Sequence, residues 1–399
     1  IEHLKTLDIY PSIEYGTTTQ YLDWLKKQNL STLPVWKDEL YLEYHQGTYT
    51  TQANGKESNR KSEVLLTNAE KFSSLAAMFG YKYNSADLEE AWKNVLFNQF
   101  HDILPGSSIR EVYIDAPERY KQAESIGKFE LKKSLAYLTK QIGTSTVKKG
   151  EPAIVFNPLS WERTNVVTLQ LPEADNHEYS VFEVGGKEIP SQTIRKDKYH
   201  REILFKADNV PSLGYKTYEL RKHKSSMVGK NLKISQTSLE NEFFNINIDP
   251  VTGWMKSIID KRNGREILSG YGNELQMLED KPSAWDAWNI GLTGVKYPTT
   301  LRKIEVLENG PVRATVRVTR DYLTPGMKKE APTQDYPTTF FTQDISLYDG
   351  IDYIDFKTDV DWWEDKTMLK VAFPVNVQNT MATYEIPYGS IQRSTQWKD

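Results

Sequence analysis

In the stretch NQFHDILPGSS, residues 98–108, one of only six histidines stands directly beside an aspartate, at the end of a strongly patterned helix and before a Pro-Gly break. Two readings of His101-Asp102 are open. A histidine at a helix C-terminus is favoured by the dipole, and the aspartate next to it then caps the end or meets water. The chemical reading takes the pair as part of a metal site, since a neutral imidazole nitrogen is a common zinc ligand and carboxylates serve too. Phe97 and Phe100 favour the second, because they make the helix end apolar nearly all round. A polar pair in such surroundings is expected to be buried or to face a pocket, and a buried ionisable pair needs a partner. The other histidines, His3, His45, His177, His200 and His223, are scattered singly, and no HExxH, H-x-H or H-x-D pattern occurs. A metal on His101 therefore takes most of its other ligands from outside these 399 residues.

Two further stretches carry binding chemistry. LYLEYHQGTYTTQ, residues 40–52, runs from alternating apolar residues into Gly47 and a tail of hydroxyl and amide side chains around Tyr49. Such groups donate and accept without charge, which suits a polyol, although a hairpin or loop packed on the next helix accounts for them equally well. In KPSAWDAWNIG, residues 281–291, Asp286 lies between Trp285 and Trp288. Indole faces stack on sugar C–H faces and a carboxylate accepts from hydroxyls, but a tryptophan in a β-sandwich is more often core. ATYEIPYGSIQR, residues 382–393, ends in Arg393 and reads as strand plus turn.

The elements that must position these residues change character along the chain. Residues 1–34 read as a strand or loop, LDIYPSIEYGT, and a short helix, TTQYLDWLKKQ. Three amphipathic helices follow. Leu65, Ala69, Phe72, Ala76 and Phe79 mark the first, which Gly80 ends; Leu88, Trp92, Val95 and Leu96 mark a second running into His101; Leu131, Leu135, Leu138 and Ile142 mark a third. Their spacing and short links predict a bundle. From Ala153 the runs shorten and fill with Val, Ile, Thr, Tyr and Phe, broken by Pro, Gly and Asn, and a basic linker falls at 221–230. Many strands without intervening helices predict antiparallel sandwiches. The expected organisation is α+β and multidomain: 1–34, a three-helix bundle over 35–145, a small β-sandwich over 150–225 and a large one over 228–399.

Composition narrows the function. A net charge of -4 gives no broad positive field for nucleic acid or an anionic membrane, and no run approaches the about 18 apolar residues of a membrane span. With no cysteine, a metal must be held by His, Asp or Glu. The chain opens on Ile1 without a cap, which suggests an excised or truncated piece and leaves the compartment of a soluble protein, cytoplasmic or periplasmic, open.

Taken in order, ELYLEYHQGTYTTQ, NRKSE, NQFHDILPGSSI, VFNPLSW, DPVTGWMKSIIDKRNGREIL, WDAWN and LKVAFPVNVQNTMATYEIPYGSIQR resemble the α-mannosidases of glycoside hydrolase family 38. The WDAW stretch is most similar to the branch holding cytosolic and bacterial enzymes. The resemblance implies an N-terminal α/β barrel with a zinc site and a retaining mechanism, then a helix bundle and sandwiches, the larger galactose-mutarotase-like. It implies that His101 is the bundle's zinc ligand, with Asp102 contacting mannose hydroxyls, and leaves Tyr49, Trp285, Asp286 and Arg393 as substrate-binding candidates. Phe100 stands where some relatives have a second histidine. Residues 1–34 resemble only the tail of the barrel, so the nucleophile and acid/base are expected upstream of Ile1. The partners implied are α-mannoside glycans and that barrel, and the chain alone is expected to be inactive. A non-catalytic sugar-binding or scaffolding module, or a mannosylglycerate hydrolase of the same family, are the alternatives.

Overall fold

The computed structural model describes residues 15–36, 43–171, 177–195, 201–225, 227, 229, 231–322, 338–386 and 389–396. The chain divides into two compact units, 1–44 and 45–399. In the first, helix α1 spans Thr18–Leu25. A capping box fixes its start: the Gln20 N–H donates to Thr17 Oγ1 at 3.2 Å and the Thr17 N–H to Gln20 Oε1 at 2.7 Å, so two otherwise orphan donors are satisfied. Most of LDIYPSIEYGT, and His3, lie outside the described residues.

A 3-10 element, Glu43–Tyr49, crosses into the second unit and leads to three helices, α2 (Ala53–Ala77), α3 (Ser85–Asn98) and α4 (Val112–Gln141). The predicted bundle is present, and α2 and α4 both begin well before the expected Leu65 and Leu131. Their N-terminal halves bury mostly small or polar residues, Asn59 and Ser62 in α2 and Ala116 and Ala123 beside Tyr120 in α4, which gives an apolar period little to register. The bundle core is Leu66, Ala69, Leu88, Ala91, Val95, Tyr120 and Ala123. At Gly127 a Cβ would lie 2.9 Å from Leu65 and Leu66, so α2 and α4 pack backbone-close there. Two expected stripe members are exposed: Phe79 falls beyond the last turn of α2, and Leu96 sits one step round α3 from buried Val95.

The strands are antiparallel throughout. The smaller sandwich pairs a four-stranded sheet (151–156, 215–222, 179–183, 188–189) with a three-stranded one (163–170, 201–210, 191–195), closed over Val181, Ile203, Phe205 and Tyr218. Asn157 of VFNPLSW donates to the carbonyls of Trp161, Val210 and Pro211, while Phe72 of α2 meets Phe156 edge-on at 5.7 Å, which seats the bundle on this sandwich. The larger sandwich sets a five-stranded sheet (233–266) against a four-stranded one (300–361) over Leu239, Ile246, Met255, Val316 and Ile345. Beside it, a three-stranded sheet joins 274–280 to 292–297 and 367–372. The WDAWN stretch is the loop between the first two of these strands.

Candidate functional site

The end of α3 is pinned by amides. Asn98, 1% exposed, donates to the Ala116 carbonyl of α4 at 2.9 Å. Gln99 Nε2 donates to Asn59 Oδ1 at 3.0 Å and Glu63 Oε1 at 2.9 Å, both on α2. The expected helix stops here, and Phe100 and His101 stand in the turn beyond it. The turn also corrects the expectation of burial. The His101 side chain is 78% exposed and that of Asp102 42%, with Nε2 and Oδ2 3.2 Å apart. Phe97 and Phe100 do not enclose the pair, because their side chains are themselves exposed, and the Phe100 ring lies against the imidazole at 4.2 Å between centroids.

Exposure does not leave the pair loose. Asp102 Oδ1 accepts from the Ser107 hydroxyl at 2.9 Å, and the Asp102 carbonyl accepts from the Ser107 N–H at 3.1 Å and the Tyr113 hydroxyl at 2.9 Å. The Tyr113 oxygen in turn accepts from the Ser108 N–H at 3.0 Å. The DILPGSS loop is thus closed on itself around the carboxylate. Ser107 and Tyr113 escaped the sequence reading, and a tyrosine five residues past a Ser-Ser pair carries no local signal of this role.

Tertiary structure brings the three stretches together. The Gly47 N–H donates to the Trp288 carbonyl at 2.7 Å, and a Cβ on Gly47 would meet that oxygen at 3.0 Å, so a side chain here would press on the loop. Thr51 Oγ1 donates to the carbonyls of Gly47 at 2.7 Å and Ala287 at 3.2 Å. On its other side Gly106, with φ of +92°, presses on Thr51: a Cβ there would lie 2.6 Å from the Thr51 oxygen. Lys56 Nζ donates to the carbonyls of Thr51, Leu104 and Pro105. The loop holding His101 and Asp102 therefore abuts the GTYTT stretch, which abuts WDAWN.

The remaining candidates occupy varied settings. Tyr49 closes the 3-10 element and is 65% exposed; residues 40–42 of the expected alternating run lie outside the described residues. Trp285 is 69% exposed, which excludes the core reading for it, and its φ of +63° is a strained backbone for a bulky side chain. It meets Trp288 edge-on at 5.7 Å, and its carbonyl accepts from the N–H groups of Trp288 and Asn289, both at 2.9 Å. Asp286 is exposed between them. Arg393 belongs to a separate hairpin, Met381–Ile386 with Gly389–Ser394, where its guanidinium lies over the Tyr384 ring at 5.4 Å.

Electrostatics separate structural acids from this cluster. Backbone N–H groups of Thr252 and Val251 hold Asp249 below its ordinary pKa in the DPVTGW turn, and Arg262 does the same for Asp260. No group of three or more His, Asp or Glu that would hold a metal is found among the described residues.

Residues 43–138 match the alpha mannosidase middle domain, and residues 239–399 match the glycosyl hydrolases family 38 C-terminal domain. The chain belongs to glycosyl hydrolase family 38. Its relatives include alpha-mannosidase 2C1 of Mus musculus, 30% identical across 99% of this chain and 35% of that protein. Alpha-mannosidase G of Dictyostelium discoideum is 28% identical across 99% of this chain and 37% of its own length. This chain thus spans about a third of the length of the curated relatives it matches. An alpha-mannosidase from Enterococcus faecalis V583 shares the fold, with a TM-score of 0.80 at 19% identity, over 97% of this chain and 51% of that one. The GTYTT, NQFHDILPGSS and WDAWN stretches fall within these two matched regions.

Proposed function

We propose that, in the intact protein, this chain forms one wall of the mannose site of a retaining, zinc-dependent exo-α-mannosidase acting on terminal α-mannosyl residues of glycans. His101 supplies one metal ligand and Asp102 contacts sugar hydroxyls, with Tyr49, Trp285 and Asp286 as further contacts and Arg393 as an outlying one. The observation that carries the reading is an exposed imidazole and carboxylate on a turn that Ser107, Tyr113 and Lys56 hold rigidly. A solvated helix end has no need of such bracing.

The donor set fits a corner of a zinc site and not a whole one. The His101 imidazole is a suitable ligand, but a zinc site takes three or four, and no group of three or more ligating side chains occurs among the described residues. A zinc held there would polarise and orient vicinal sugar hydroxyls. Retaining hydrolysis also needs two carboxyls about 5–5.5 Å apart. We assign these, and the other ligands, to a barrel of the same protein outside these 399 residues, since Asp249 and Asp260 are engaged in turns and ion pairs. The chain alone is then inactive. In the intact protein, His101→Ala is expected to release zinc and abolish hydrolysis of an aryl α-mannoside; retention of both metal and rate would refute the role. Relative rates on mannosylglycerate and on linked mannobioses distinguish the two substrate classes.

A further inference from the structure

Lys56 occupies the first turns of α2, a position that ordinary helix energetics disfavours for a cation. The N-terminal end of a helix carries partial positive charge, and the first turn of α2 has no acidic residue to offset it. The preceding Gln52 sits at φ of +56° and offers no side-chain cap. Lys56 is half-buried, which desolvates the ammonium and lowers its pKa. Its recorded hydrogen-bond acceptors are three backbone carbonyls, those of Thr51, Leu104 and Pro105. An ammonium placed at this cost is worth keeping where its geometry has a use. Three donors on a compact head suit three convergent carbonyls.

Those carbonyls belong to two separate segments. Leu104 and Pro105 lie two and three residues beyond Asp102, while Thr51 is the residue whose hydroxyl reaches Ala287 beside the strained Trp285. We propose that Lys56 is a positioning residue: by clamping Thr51 to the 104–105 carbonyls it sets the register of the His101-Asp102 turn against the WDAWN loop. This rests on the mannosidase reading, in which both segments face the same sugar. Gly106 acts from the other side of the same contact, since a Cβ on it would collide with the Thr51 oxygen that Lys56 binds.

The test uses the intact, zinc-loaded protein and Lys56→Met, which keeps the stem and removes the donors. Hydrogen exchange is expected to accelerate together in 101–108 and 284–291, while the α2–α4 interior stays protected. Turnover of an aryl α-mannoside per folded molecule is expected to fall about ten- to a hundred-fold, the scale of a misplacement near 1 Å. Gly106→Ala, which pushes the same contact apart with the ammonium intact, is expected to give the same pair of effects and serves if Lys56→Met does not fold. A lowered Tm with unchanged kcat and unchanged exchange at 284–291 would show a purely structural lysine and overturn the proposal. Failure of the unmutated protein to cleave the mannoside would instead sink the mannosidase reading, leaving the exchange result to decide the clamp.

Discussion

His101 and Asp102 differ in what holds them, and the difference sets what each substitution does. Among the described residues the imidazole meets its neighbour's carboxylate and the Phe100 ring, so changing it is expected to cost the fold little and, in the proposed role, the metal much. Asp102 is tied into the loop through Ser107, and its carbonyl through Tyr113. Tyr113→Phe removes a hydroxyl that donates to the Asp102 carbonyl and accepts from the Ser108 N–H. With each net hydrogen bond worth about 1 kcal/mol, we expect a loss of about 1–2 kcal/mol by denaturant titration, with faster amide exchange confined to 102–108. An unaltered exchange rate there would mean that the loop is braced by other contacts.

Among the elements, the loop bearing WDAWN is closed at its base by two adjacent carboxylates, chiefly that of Glu279. Glu279 accepts from Lys281 Nζ, from the Tyr297 hydroxyl at 2.7 Å and from the Thr293 hydroxyl at 2.7 Å, and the Lys281 ammonium with these hydroxyls depresses its pKa to about 2. The Gly291 N–H adds a bond to Asp280 Oδ1 at 2.6 Å. Because the folded pKa lies below the ordinary carboxylate value, this bracing is complete above that value and is lost as pH falls through about 2. The protection factor of 284–291, which removes the intrinsic pH dependence of amide exchange, is therefore expected to be flat from pH 8 to pH 5 and to fall towards pH 2 ahead of that of the bundle. In Glu279→Ala the loop is expected to be loose already at neutral pH. A loop that opens between pH 5 and 8 in the unmutated protein contradicts this assignment.

On the scale of the whole molecule, the proposed function gives the chain one corner of a metal site, and Leu96, Phe97, Phe100 and Ile109, near it in sequence, are exposed. If His101 is the chain's one zinc ligand, calorimetry on these 399 residues should show weak zinc binding. The intact protein should bind one zinc tightly. Tight stoichiometric binding by this chain would require ligands that the described residues do not bring together.

Composition and periodicity determined a good deal: a cysteine-free chain restricted to His, Asp and Glu ligands, three helices from their apolar steps, and antiparallel strands from short alternating runs. The ordered blocks pointed to family 38 and to His101 before any coordinate. Helix starts were hidden because the early turns of α2 and α4 bury mostly Asn, Ser and Ala, which give an apolar count little to follow. The exposure of His101 was hidden as well, because Phe97 and Phe100 look like a core in one dimension and prove to be surface in three. Only the folded chain decided that Thr51, 236 residues away from Ala287, joins the GTYTT and WDAWN stretches. Such bonds form when domains close on one another, and no local propensity encodes a pairing at that separation.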